Sequence, residues 1–129
     1  MARHKLPIGS IGWIDLTVSD ATELKDFYSR VVGWQSGDVS MGDYADYNMN
    51  SPHSGVPVAG ICHARGINKK LPPYWLIYIV VENLTESISL CKKLGGKIIS
   101  GPKNMAGYGN YAVIQDPAGA YAAIFEAIN

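Results

Sequence analysis

Ile11-Gly12-Trp13-Ile14-Asp15-Leu16-Thr17-Val18-Ser19-Asp20-Ala21-Thr22-Glu23 decides the fold, because a version of it returns at Tyr74-Trp75-Leu76-Ile77-Tyr78-Ile79-Val80-Val81-Glu82-Asn83-Leu84-Thr85-Glu86. In the first stretch Ile14, Leu16 and Val18 alternate with Trp13, Asp15 and Thr17, the period-two pattern of a strand with two different faces. Its counterpart from Trp75 to Val81 is apolar on both faces, as a strand covered on both sides requires. Asp20 with Glu23 three residues later is a capping-box pattern: the Asp side chain accepts from an early amide, and Glu favours the positive helix end. A helix from Ala21 to Val32 follows, with Leu24, Phe27, Tyr28 and Val31 on one stripe and Gly33 as its left-handed stop. Asn83 and Glu86 repeat the start, Leu84, Ile88 and Cys91 the stripe, and Gly95-Gly96 the stop.

Outward from these stretches the chain aligns with itself, and such a repeat decides the architecture. At an offset of 63, Ile14 falls on Ile77, Val18 on Val81, Thr22 on Thr85, Glu23 on Glu86 and Gly33 on Gly96. One inserted residue moves the offset to 64, which puts Met41 on Met105, Tyr44 on Tyr108, Tyr47 on Tyr111, Gly55 on Gly119 and Ala59 on Ala123. Each helix is followed by three β-prone runs: 34–41, 44–50 and 56–63, then 97–100, 109–115 and 120–126. Ser51-Pro52-His53-Ser54-Gly55 and Asp116-Pro117-Ala118-Gly119 are suited to tight turns between antiparallel strands. The reading is one domain over residues 1–129, with module 1 at about 10–63, a linker at about 64–73 and module 2 at about 74–127.

The composition fits one compact body. The 129 residues are 47% apolar and 17% charged, enough for a core without disulfides or structural metal. Eleven basic and eleven acidic residues cancel. A polyanion binder needs surplus cations to release counterions, so nucleic acid and acidic membrane surfaces are not expected partners. Cys62 and Cys91 are too few and too far apart for a disulfide framework or a zinc motif, and no run approaches a membrane span of about 20 residues. The N-terminus shows positive charge without a following apolar run, so a cytoplasmic, unprocessed protein is expected.

A tandem of two strand-helix-three-strand units resembles the vicinal oxygen chelate superfamily, which includes glyoxalase I, bleomycin resistance proteins and extradiol dioxygenases. The resemblance rests on Trp13-Ile14-Asp15-Leu16 with Asp20 and Phe27-Tyr28 through Gly33-Trp34, on Glu82-Asn83 through Leu94-Gly95-Gly96-Lys97, and on Gln115-Asp116-Pro117-Ala118-Gly119. It implies an α+β fold: tandem βαβββ modules forming a curved eight-stranded mixed sheet around a pocket, with the helices outside. It also implies a homodimer, as is common in the family. In metal-dependent members the ligands come from the first and last strands of each module. Here those positions are Trp13 and Leu76, counted back from the helix caps, and Ala59 and Ala123, counted on from the hairpin glycines. None offers a lone pair to a divalent cation, so no metal or other cofactor is expected, with a divalent metal as the alternative.

The same alternation assigns a ligand pocket lined by Trp13, Thr17, Ala59, Ile61, Leu76, Tyr78, Tyr121, Ala123 and Phe125, an apolar and aromatic surface with few polar groups. Asp15 and His63 are its catalytic candidates. An inward carboxylate suits a general base or a ligand anchor, and His63 beside it would make a base and orienter pair; the alternatives are an Asp15 satisfied by Tyr78 or backbone amides, and a His63 half exposed at a strand end. His4 and His53, in a tail and a turn, receive no role. Cys62 and His63 are neighbours on a strand and point to opposite faces, while Cys91 reads as a small core residue. Tyr44 with Tyr108 and Tyr47 with Tyr111 read as structural pairs, and Gly107-Tyr108-Gly109 as a turn able to cover a pocket mouth.

The expected function is therefore a small-molecule-binding, glyoxalase- or bleomycin-resistance-like protein without the family's metal site. The alternatives are a metal-dependent lyase, epimerase or dioxygenase, an antibiotic-sequestering resistance protein, which a neutral chain matches poorly because that drug class is cationic, and a purely structural role.

Overall fold

Period-two alternation and two capped amphipathic segments give eight strands and two helices in the computed structural model, which describes residues 6–105 and 107–128. His4 lies outside the described residues. In order the elements are β1 Ile11–Val18, α1 Ala21–Val32, β2 Gln35–Ser40, β3 Ala45–Asn50, β4 Pro57–His63, a short 3-10 turn Gly66–Asn68, β5 Trp75–Val80, α2 Leu84–Lys93, β6 Lys97–Met105, β7 Gly109–Gln115 and β8 Tyr121–Ala127. This is the expected α+β class, two βαβββ modules with mixed strand pairing. β6 runs five residues beyond its expected end, across a cis Gly101–Pro102 bond and two register shifts against β7. No helix is long and apolar enough to cross a membrane among the described residues.

The helix ends form as their caps dictate. The Asp20 and Asn83 side chains each accept the amide three residues on, at 3.0 Å, and Gly33 ends α1 in the left-handed region. The turn Asp116–Gly119 is closed by its own carboxylate, which accepts the Ala118 and Ala120 amides.

Two compact units make up the chain. One is Trp13–Trp75, with strand order β2-β3-β4-β1, the β1/β4 pair parallel and the others antiparallel. Its core lies under α1, where Ala21, Tyr47, Met49, Ala59 and Ile61 are buried against Val18, Leu24, Tyr28, Trp34 and Trp75. The Trp75 indole N–H donates to the Tyr28 hydroxyl at 3.2 Å, and the rings of Tyr28, Trp34 and Trp75 pack within 6.1 Å of one another. The other unit is residues 76–128 with the segment up to Gly12, in strand order β5-β8-β7-β6. The chain start joins it through Gly9, whose amide donates to the Val80 carbonyl at 2.7 Å, and Ser10, whose carbonyl accepts the Val80 amide at 2.8 Å. Its core is Leu84, Ala112 and Ile124, with Val81, Ile88 and Ile114 against it.

Four expectations are corrected by the packing. Ala59 and Ile61 belong to the core under α1, not to the pocket face, because the parallel register sets Leu16 beside Ile61 and Asp15 beside Gly60. The offset of 63 between the first strands therefore also relates the last strands, where Tyr78 stands beside Ala123. The offset-64 identities do not mark equivalent places: Tyr47 is in the core under α1, while Tyr111 stacks on Tyr78 on the face of β7 away from α2. Of the α1 stripe, Leu24 and Tyr28 reach the core, whereas Phe27 and Val31 are exposed because they lie on the outer flank of the helix. Cys91 is only partly covered, its sulfur 4.0 Å from the Lys97 carbonyl.

Ile61→Ala tests this register. A fully buried Ile truncated in a packed core costs about 2–5 kcal/mol, read as a lower urea midpoint with unchanged slope, whereas Val58→Ala on the other face of β4 leaves the midpoint nearly in place.

Candidate functional site

The faces turned away from the helices carry the chemistry. On the first module, residues level with one another across β2, β3, β4 and β1 form a row: Gly37, Asn48, Gly60 and Asp15. Paired residues share a face, so Trp13 and Thr17 flank Asp15 on β1, and Val58 and Cys62 flank Gly60 on β4. Asp15 and Thr17 are buried, at 6% and 5% exposure, and both Asp15 and Cys62 have interaction partners. Gly60 serves a close approach. A Cβ there would stand 3.2 Å from the Asp15 Cβ and 3.3 Å from Cζ2 of Trp13, so the indole lies against bare backbone. The Asn50 side chain leans over Gly37, and its Oδ1 is a buried acceptor with no partner among the described residues.

On the second module the corresponding face is apolar. Leu76, Tyr78 and Val80 of β5 stand with Tyr121, Ala123 and Phe125 of β8, and Tyr78 and Tyr111 meet with ring centroids 5.6 Å apart. These are the residues that alternation places there. The first module departs from the expectation. Its face gains Gly60, Cys62, Asn48 and Asn50 in place of Ala59, Ile61 and His63, and becomes polar.

His63 is therefore not a partner of Asp15. Asp15 stands level with Gly60 and His63 with Val18, three residues on and on the opposite face. The residue that orients His63 is Asp46, whose Oδ1 accepts the His63 backbone amide at 2.8 Å and lies 3.3 Å from Nδ1. The Tyr44 ring meets the imidazole edge-on at 5.6 Å, and the Arg65 guanidinium lies 3.9 Å from the Tyr44 centroid. Asp46 was missed by sequence reasoning. Its signal was a carboxylate inside a β-prone run next to Tyr47, a position that burial makes costly unless a donor is at hand. The arrangement pins the end of β4, and with it the place of Cys62.

Divalent metal finds no ligands at the superfamily's positions. Trp13, Leu76 and Ala123 keep the places expected for them, and Gly60 replaces Ala59 as the last-strand residue on that face. No side chain among these four carries a lone pair for a cation, and among the described residues no three His, Cys, Asp or Glu gather at one point. The residues present do not fit the metal of the metal-dependent members.

A sequence model of one family, the Glyoxalase/Bleomycin resistance protein/Dioxygenase superfamily, matches residues 10–124. The chain belongs to this superfamily. It is 28% identical over 121 residues to the protein named "Putative glyoxylase CFP32" of Mycobacterium bovis, covering 92% of this chain and 46% of that protein. It is 26% identical over 132 residues to the anthracycline biosynthesis protein DnrV of Streptomyces peucetius, covering 91% of this chain and again 46% of the relative. The chain thus spans about half the length of the curated relatives it matches. In fold it is similar to methylmalonyl-CoA epimerase from Mycobacterium tuberculosis, with a TM-score of 0.56 over 98% of this chain and 95% of that one, at 14% identity. The chemistry open to the first module's face follows from the residues of its polar row.

Asp46→Ala leaves the buried-side His63 amide without its acceptor and is expected to cost about 1–3 kcal/mol in urea unfolding. Asp46→Asn, which retains a carbonyl acceptor, recovers most of that loss; equal destabilisation by both would remove the hydrogen bond as the reason.

Proposed function

We propose that this superfamily member binds a small, partly apolar molecule on the strand faces turned away from its helices, and does so without a divalent metal. The observation that carries this reading is the set of side chains at the ligand positions, Trp13, Gly60, Leu76 and Ala123, which provide surface for contact and no donor atom for a cation. Aromatic and aliphatic side chains supply affinity by area, and a few placed polar groups fix orientation. On the second module Tyr78, Tyr121 and Phe125 are of the first kind; on the first module Trp13 is of the first kind and Asp15, Thr17 and Asn50 are of the second. Two of the curated relatives are named as anthracycline biosynthesis proteins, and the tyrosines on the second module's face offer contact surface for an aromatic ligand.

Asp15 is the residue placed for proton chemistry or for anchoring a hydroxyl or cationic group of the ligand. Asp15 is a buried carboxylate on the same strand face as Thr17, and a reaction at this face would use it as the base. His63 has no part in that step, being held by Asp46 on the other face. Gly60 acts by letting the indole lie against the strand. The exposed Phe27 and Val31 on α1 support a homodimer as the assembly.

Two measurements test the reading. Elemental mass spectrometry of untagged protein, as purified and after incubation with zinc, nickel, manganese or ferrous iron followed by desalting, is expected to find metal far below one per chain; a stoichiometric ion would refute the metal-free reading. Thermal-shift screening of small aromatic compounds is expected to yield ligands, since one at a hundred times its dissociation constant stabilises by about 2.7 kcal/mol. Asp15→Asn, with its own ligand-free melting temperature as the reference, is expected to weaken the stabilising ligands; unchanged ligand-induced stabilisation would remove Asp15 from the site.

A further inference from the structure

A solvent-open cleft of about 350 Å³ lies on the helix side of the second module, on the opposite face of its strands from Tyr78 and Phe125, with Leu84 buried at its floor. Its position follows from where α2 begins. Under the first turn of the helix the strands present the core residues Ala112 and Ile124. Two residues along, past the start of the helix, the same face continues with Asn110 beside Glu126, and Asn104 of β6 stands opposite Asn110. Three polar side chains form a row across three strands. Thr85 of α2 borders it on one side, and Pro102 and Lys103 on another, where β6 shifts register against β7.

Hydrogen bonds within this row fix what it can offer. The Leu84 amide donates to Glu126 Oε1 at 2.7 Å, so the helix end is already capped and is not a waiting anion site. Asn104 Nδ2 donates to Asn110 Oδ1 at 3.1 Å and to the Gly109 carbonyl at 3.4 Å. Those bonds leave Glu126 Oε2 and Asn104 Oδ1 as acceptors, and Asn110 Nδ2, the Thr85 hydroxyl and the Lys103 ammonium as donors. One carboxylate and one ammonium leave the lining without net charge, which favours neither an anion nor a cation. Interleaved donors and acceptors match hydroxyl groups, each of which gives and accepts a hydrogen bond, and the Pro102 ring offers an apolar contact for C–H groups. The volume lies within the range of small-molecule sites.

We propose that this cleft is a second binding site, separate from the strand-face site, and that its ligand is a neutral polyhydroxylated ring such as a monosaccharide or cyclitol. Glu126 and Asn104 accept from adjacent hydroxyls, Asn110 and Thr85 donate to them, and Lys103 closes the rim.

The full chain, labelled for nitrogen-proton correlation spectra, is titrated with D-glucose and with myo-inositol into the high millimolar range. The expected result is saturable shifts of the Thr85, Lys103, Asn104 and Asn110 amides and of the two Asn side-chain NH₂ groups, with Tyr78 and Ala123 unmoved. Asn110→Ala and Thr85→Ala, whose folding the same spectra report, should each weaken binding roughly five-fold or more, the effect of one lost hydrogen bond. Absence of saturable shifts with both probes, shifts confined to the opposite face, or undiminished affinity in both variants overturns the site. Tighter binding of glycine than of either probe overturns the ligand class. None of these outcomes bears on the strand-face reading, which rests on different residues.

Discussion

The parallel pairing of β1 with β4, Leu16 beside Ile61 and Asp15 beside Gly60, sets what each face of the first module is. Strand side chains alternate with period two, so one pairing assigns every residue of both strands to the helix side or to the open side. Burial of Ile61, Ala59 and Met49 under α1 holds that pairing in place, because a one-residue slip would turn Ile61 out and Cys62 in. Burying a side chain of that size contributes about 1.5–3 kcal/mol, and a slip would forfeit several such burials together. Everything on the open face, from the Trp13 ring against Gly60 to the exclusion of His63, is a consequence.

The two modules use the same frame for different surfaces. In the second, Ala123, Phe125, Leu76 and Tyr78 make an apolar face, and the polar side chains appear on the helix side beyond the start of α2, at Asn104, Asn110 and Glu126. In the first, polar side chains occupy the open face. His63 and Glu126 hold equivalent places at the ends of the last strands and are both hydrogen-bonded, but by different means: His63 to the Asp46 carboxylate, Glu126 to the first amide of α2. Duplicated units that share backbone geometry have diverged in what that geometry presents.

The side chains at the positions that the superfamily resemblance assigns to metal ligands bear on how a ligand could be held under the proposed reading. A divalent ion fixes oxygen atoms strongly and with little regard for the rest of the molecule. With Gly60 and Trp13 at such positions, orientation depends on shape and on a few hydrogen bonds. Under the proposed reading, specificity would come from aromatic surface and from the polar groups of Asp15, Thr17 and Asn50.

The helices, their caps, the eight strands and the two-module architecture were legible in the sequence, because caps, periodicity and turn residues act over a few neighbours and need no distant partner. Trp13, Asp15 and Thr17, and the second-module face from Leu76 to Phe125, followed from alternation alone. The last strand of the first module was not legible in the same way. Identities such as Ala59 with Ala123 and Tyr47 with Tyr111 suggested one offset, while the true one depends on β6 being longer and the turn before β8 shorter than their counterparts. Only the tertiary structure decided that, since register is fixed by which residues are buried under α1 and by how long each hairpin is. The same holds for Asp46 and His63, brought together from different strands, and for the cleft at the start of α2, which exists because the helix begins one level short of the strands beneath it.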